Sequence, residues 1–168
     1  IDILGGHIDE FGDNPDNPIQ RRKVPQSHDE IERMARFRNP MNHGTIMFRR
    51  SAVLAAGNYR PVTRVEDYDL WVRLLCDDAQ FANVDETLVF VRAGEALAER
   101  RGGIEYTRAE VRRQSEFYKR GFISSPVFVF NVLSRVVLRF VPNQVRNFVY
   151  ATIARESLRS EEIADEEQ

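Results

Sequence analysis

The chain has 168 residues, 42% hydrophobic and 30% charged, which is enough for one domain with a substantial core. Its net charge of −2 argues against a nucleic-acid binder, and its single cysteine, Cys76, excludes an internal disulfide and a cysteine-rich metal site, fitting a reducing compartment. The charge is uneven: 12 basic and 17 acidic residues over 1–99, 11 and 3 over 100–155, and 1 and 6 over 156–168, so only the middle block invites an anionic partner.

The opening "IDILGGHIDEF" reads as a strand already in progress, as expected of a fragment of a longer protein. "GDNPDNP" concentrates turn formers and predicts a surface loop, and "QRRKVP" is basic and extended. "SHDEIERMARFR" predicts a helix with Ser27 as N-cap, Asp29 and Glu30 in the first turn, and Ile31, Met34 and Ala35 on one face. Pro40 stops it. Thr45 to Phe48 form an apolar strand candidate; Ser51 is then expected to cap a short helix over "AVLAA", which Gly57 ends in the left-handed conformation.

"VEDYDLWVRLL" follows, with Glu66, Asp67 and Asp69 crowding a helix start and Tyr68, Trp71, Leu74 and Leu75 at three- and four-residue spacing. A further strand is predicted over Thr87 to Arg92, before a charged loop, "GEALAERRGG", whose two glycines allow movement. Thr107 and Glu110 make a capping-box pattern for a helix running to Arg120 and ended by Gly121. Pro126 opens an apolar helix to Val141, interrupted by a stripe of Asn131, Ser134, Arg135 and Arg139. The acidic end is expected to be a flexible tail. These boundaries divide the chain into 1–103, a basic helical extension over 104–155, and the tail over 156–168.

The carboxylate cluster admits two readings. Acidic residues in a first turn complement the helix dipole by about 0.3–1 kcal/mol each. Crowded carboxylates also raise one another's proton affinity, which suits a general base. His43, between Asn42 and Gly44, is either a hydrogen-bonded structural residue or a ligand, and His7, His28 and His43 show no metal-ligand spacing. Arg92, Arg100 and Arg101 are either a solvated charged surface or guanidinium groups suited to a diphosphate.

The order "NPMNHGTIMFRRSAVLAAGNYRPVTRVEDYDLWVRLL" followed by "LVFVRAG" and "RRGG" resembles the C-terminal half of bacterial family 2 glycosyltransferases, most of all the amylovoran-type exopolysaccharide transferases. The resemblance implies an α/β fold, part of an A-type glycosyltransferase sandwich carrying the acceptor side, with the helical extension added. It implies inverting transfer from a nucleotide-diphosphate sugar to a saccharide or lipid-linked acceptor in polysaccharide biosynthesis, with manganese or magnesium serving the full-length enzyme. On that basis Asp67 is the general base, Glu66 its neighbour or substitute, and Asp69 a cap or support. Asn42, His43, Tyr68, Trp71, Arg92, Arg100 and Arg101 become candidate substrate-binding residues.

Two departures accompany the resemblance. The nucleotide-binding half with its Asp-x-Asp motif is expected upstream of Ile1, and Ala93 and Gly94 stand where many relatives carry a histidine after the pair matching Val91 and Arg92. No metal ligand is therefore assigned within this chain, and the arginines become the diphosphate candidates. The helix from Pro126 to Val141 is short for a membrane span; its arginines suit an anionic membrane surface at the inner, cytoplasmic face, and core packing or a homodimer is the plainer alternative. The competing functional class is a non-catalytic oligomerisation or membrane-docking module.

Overall fold

A computed structural model of the chain describes residues 1–61, 65–92, 104–140 and 156–157. It is a mixed α/β structure centred on one strand, β1 (Ile3–Phe11). One edge of β1 pairs in parallel with β4 (Phe81–Arg92). Its other edge is shared: β3 (Met47–Phe48) takes Ile3 and Leu4, and β2 (Pro18–Arg22) takes Ile8 to Phe11, both antiparallel. The first residues of the expected tail, β5 (Glu156–Ser157), pair with β2.

Between the two antiparallel partners, β1 is left without a strand at Gly6. A turn fills the gap. His43–Thr45 form a 3-10 helix, Asn42 donates through Nδ2 to the Gly6 carbonyl at 2.9 Å, and the Thr45 hydroxyl accepts the Gly6 N–H at 3.1 Å. The predicted strand from Thr45 to Phe48 is consequently only two residues long. On the opposite edge Gly6 meets the irregular part of β4, where a β-carbon would stand 2.7 Å from Leu88 Cδ1 and 3.0 Å from the Glu86 carbonyl oxygen. Glycine is required there by close approach.

The first helix, α1 (His28–Ala35), starts where Ser27 predicts, and the Glu30 carboxylate accepts from the Ser27 hydroxyl at 2.8 Å. Ile31 and Ala35 are buried, whereas Met34 is only half-buried. Helix α2 (Arg50–Ala55) begins two residues earlier than expected, with Arg49 at the cap position and Ser51 inside the helix. Gly57 does end it at φ +82°, and Asn58 N–H reaches back to the Val53 carbonyl.

Helix α3 (Glu66–Cys76) is buried from Tyr68 through Leu75, so it is enclosed on all sides instead of presenting one apolar face. Leu70, Trp71 and Leu74 share a core with Ile3, Ile31, Met41 and Phe81. Tyr68 and Val72 share a second, smaller core with Phe117 and Ile123. Each fully buried side chain of this size contributes about 1.5–3 kcal/mol.

That second core comes from α4 (Ile104–Lys119) and α5 (Ser125–Phe140). Helix α4 starts earlier than Thr107, which lies inside it, and Gly121 ends it at φ +76°. Two residues of the expected polar stripe of α5, Asn131 and Arg135, are turned inward. Asn131 is buried and donates to the Arg36 carbonyl and to Gln114 Oε1, both at 2.8 Å, and Arg135 donates to the Phe37 carbonyl at 2.9 Å. Among the described residues, no helix is long and apolar enough to cross a membrane.

Candidate active site

The start of α3 brings together carboxylates with very different surroundings. Glu66 is exposed. Asp67 is half-buried; its Oδ2 accepts from Asn39 Nδ2 at 2.8 Å and its Oδ1 from the Tyr68 N–H at 2.7 Å. Asn39 is itself fixed, because its Oδ1 accepts the Met41 N–H at 3.1 Å and Arg22 donates to its carbonyl at 3.1 Å. The Asp67 carboxylate is thus held in one orientation yet remains open on one side.

Asp69 faces the other way. Its side chain is 2% exposed and lies between two guanidinium groups, Arg73 Nε at 3.0 Å and Arg113 Nη1 at 2.6 Å. Arg113 also bonds Glu116 Oε2 at 2.7 Å. Arg73 continues the network, donating to the Ala56 carbonyl and, at 2.7 Å, to the Asn58 carbonyl. Support is therefore the role of Asp69 in this structure: it holds α4 to α3 and, through Arg73, fixes the turn after α2.

That turn carries Tyr59, a residue the sequence reading passed over because it lies in a turn without a motif of its own. Its ring is 6.0 Å from that of His43 at 88°, edge to face, and the His43 ring lies 6.2 Å from Trp71. Burial raises the Tyr59 phenol above its ordinary value, and Asp67 and then Glu66 push it further the same way. Tyr59 thus lies within electrostatic reach of the carboxylate pair and packs against His43, and both rings are exposed. Asn39 was equally missed; its partner Asp67 lies 28 residues away in sequence.

The other predicted site residues fall elsewhere. Asn42 is buried and its amide donates to the Gly6 and Arg22 carbonyls, which makes it a stitch in the sheet edge. Tyr68 is in the core, its hydroxyl donates to the Ala35 carbonyl at 2.6 Å, and burial holds its phenol far above the usual range. Trp71 is fully buried behind His43. Arg92 lies at the far end of β4, its guanidinium carbon 5.4 Å from the centre of the Phe11 ring. Arg100 and Arg101 lie outside the described residues.

A second polar cluster lies on β1 and was not foreseen. His7 is buried, accepts the Val24 N–H at Nδ1, and sits 2.9 Å through Nε2 from Asp85 Oδ1. Asp9 accepts from Arg21 at 2.7 and 3.0 Å and from the Thr87 hydroxyl at 3.1 Å. Burial works to raise the Asp9 carboxyl, but the bonds from Arg21 and Thr87 outweigh it and hold it below its ordinary value. Among the described residues, no group of three His, Cys, Asp or Glu side chains is placed to hold a metal ion. A shallow depression lined by Val24, Glu30, Met34 and Phe37 lies along α1 and contains none of the candidate residues.

The chain is similar to bacterial glycosyltransferases. It is 32% identical over 158 residues to the UDP-Gal:alpha-D-GlcNAc-diphosphoundecaprenol beta-1,3-galactosyltransferase of Escherichia coli, a match covering 94% of this chain and 57% of that protein. It is 33% identical to an uncharacterised glycosyltransferase of Haemophilus influenzae, covering 91% of this chain and 57% of that one. An amylovoran biosynthesis glycosyltransferase of Erwinia amylovora is 32% identical, with 88% and 55% covered. The chain thus spans a little over half the length of these relatives. No protein-family model and no solved structure matches the chain.

Proposed function

We propose that this chain is the acceptor side of an inverting, A-type family 2 glycosyltransferase that moves a sugar from a nucleotide-diphosphate donor to a saccharide or lipid-linked acceptor in polysaccharide biosynthesis. The observation that carries it is Asp67: a half-buried carboxylate oriented by Asn39 and by the α3 backbone, within electrostatic reach of Tyr59, in a chain similar to glycosyltransferases along most of its length.

In this reading the acceptor hydroxyl sits against Asp67. The carboxylate takes the hydroxyl proton while the oxygen forms its bond to the anomeric carbon, and the bond from that carbon to the diphosphate breaks on the opposite face. Configuration inverts, and the nucleoside diphosphate leaves with the electron pair. Glu66 adds negative charge beside the base, and His43 and Tyr59 wall the acceptor. Any divalent metal belongs to a part of the enzyme outside the described residues, and no step here passes through one. Arg100 and Arg101 remain the proposed contacts to the departing diphosphate, whereas Arg92 is placed against Phe11 at the far end of β4.

The test uses the full-length protein with UDP-galactose and a GlcNAc-diphosphopolyprenol, the substrates named for the E. coli relative. Asp67→Asn should lower transfer by about 10²–10⁴-fold, the usual contribution of a general base, with donor affinity unchanged. Transfer retained at the wild-type rate removes Asp67 from the chemistry. Absence of transfer by the wild-type protein, across a panel of nucleotide sugars, favours the non-catalytic docking module, to which the outward apolar face of α5 also points.

A further inference from the structure

Helix α5 is inverted for a protein surface. Its polar residues Asn131 and Arg135 bond backbone carbonyls at the end of α1, and Asn131 is 1% exposed. Its apolar residues point outward: Val129, Phe130, Leu133, Val136 and Val137 are 38–60% exposed. At 100° per residue these five positions fall within one stripe about 120° wide, opposite the buried polar side. Phe37, at the end of α1, meets Phe130 edge to face at 6.2 Å and widens the patch.

An apolar stripe normally turns to the core because burying it removes it from water. Here the inward hydrogen bonds fix the helix the other way round, which leaves a continuous apolar surface. The charges on the same helical pair indicate the occupant. Glu110 and Glu116 are turned to Arg135 and Arg113, at 3.7 and 2.7 Å. Arg108, Arg112, Lys119 and Arg120 are exposed and all cationic. The segment 100–155 as a whole carries 11 basic and 3 acidic residues, within a chain that is otherwise acidic. An apolar stripe on a helical pair whose exposed charges are cationic suits an anionic lipid surface, with the apolar side chains at the level of the acyl chains and the cations drawn to the headgroups. A second copy of this chain would instead bring two net-basic helical pairs together.

We propose that the outward face of α5 is a docking surface for an anionic phospholipid bilayer, on which the helix lies in the plane of the membrane. The 16 residues of α5 measure roughly 24 Å at 1.5 Å per residue, enough to lay the whole stripe along the surface. This inference is independent of the proposed chemistry.

The experiment is co-sedimentation of the full chain with vesicles of phosphatidylcholine alone or with about one-third phosphatidylglycerol. The wild type should bind the mixed vesicles and should bind less as salt rises. Leu133→Glu with Val137→Glu should weaken that binding at least about tenfold, since both side chains are exposed and the fold should tolerate the change, as an unchanged Tm would verify. Arg108→Glu with Arg112→Glu should weaken binding to the mixed vesicles by about fivefold per residue. No binding by the wild type, binding unaffected by the Leu133 and Val137 changes, or a dimer abolished by those changes in the absence of vesicle binding would each overturn the proposal. Neither result depends on sugar transfer.

Discussion

Asp67 and Asp69 are neighbours in the first turn of α3, yet one faces an open corner and the other a closed ion network. Asp67 is oriented by neutral donors, the Asn39 amide and a backbone N–H, and keeps an accessible side. Asp69 is enclosed by Arg73 and Arg113, which leave it no free approach. Side-chain chemistry is identical at the two positions, so their difference comes entirely from what the fold brings against them. The closed site gives rigidity to the open one: Arg73 ties Asp69 to the turn that presents Tyr59 beside Asp67.

The comparison breaks most visibly at Asp69. Asp69→Ala strands two buried guanidinium groups and should cost about 3–5 kcal/mol of folding free energy, read from the urea midpoint. Asp67→Asn should change stability by less than about 1 kcal/mol, because an exposed-side carboxylate with neutral partners loses little. If both substitutions destabilise equally, the division between a reactive and a supporting carboxylate fails. Asn42→Ala should fall between them at about 1–3 kcal/mol, since it removes the donor to the Gly6 carbonyl where β1 has no strand partner.

A smaller effect sharpens the comparison with a third aspartate. Asp9 is buried like Asp69 but meets one guanidinium and one hydroxyl, and its carboxyl is held below its ordinary value. A lowered folded-state value means a contribution that is full above the ordinary carboxylate value of about 3.9 and lost as pH falls through the folded value. Stability measured against pH should therefore decline on the acid side, and Asp9→Asn should make that decline shallower while leaving its neutral-pH limb flat. An unchanged acid limb would separate Asp9 from the ion-paired class.

The Ser27 cap, the glycine stops at Gly57 and Gly121, and the helix order were legible, because each depends on residues within about four positions of one another. The strands were legible only in part: β4 begins at Phe81, six residues before the expected Thr87, and β5 pairs within the expected tail, because strand extent is set by remote partners. The carboxylate corner was legible in part: Glu66, Asp67 and His43 stood out, whereas Asn39 and Tyr59 did not. Nothing local marks an asparagine or a turn tyrosine as a partner for a carboxylate. Tyr68 and Trp71 looked like substrate contacts because they adjoin the acidic pair in sequence, but a helix turns successive side chains about 100° apart, and both point into cores.

By itself, then, the sequence determined which segments become helices and how charge is apportioned along the chain, since capping, periodicity and composition act over short spans, whereas strand bounds such as the start of β4 at Phe81 and the two-residue β3 followed from pairing. Only the tertiary structure decided which side of each element faces inward. The pairs that settle it are remote: Asp69 with Arg113 across 44 residues, Asn42 with Gly6 across 36, and Asn131 with Arg36 across 95. A buried polar group must find a partner or carry its desolvation cost, and the partners available to Asn131 and Asp69 exist only once the helices are docked. That requirement, more than the apolar pattern, turned α5 with its apolar stripe to the outside.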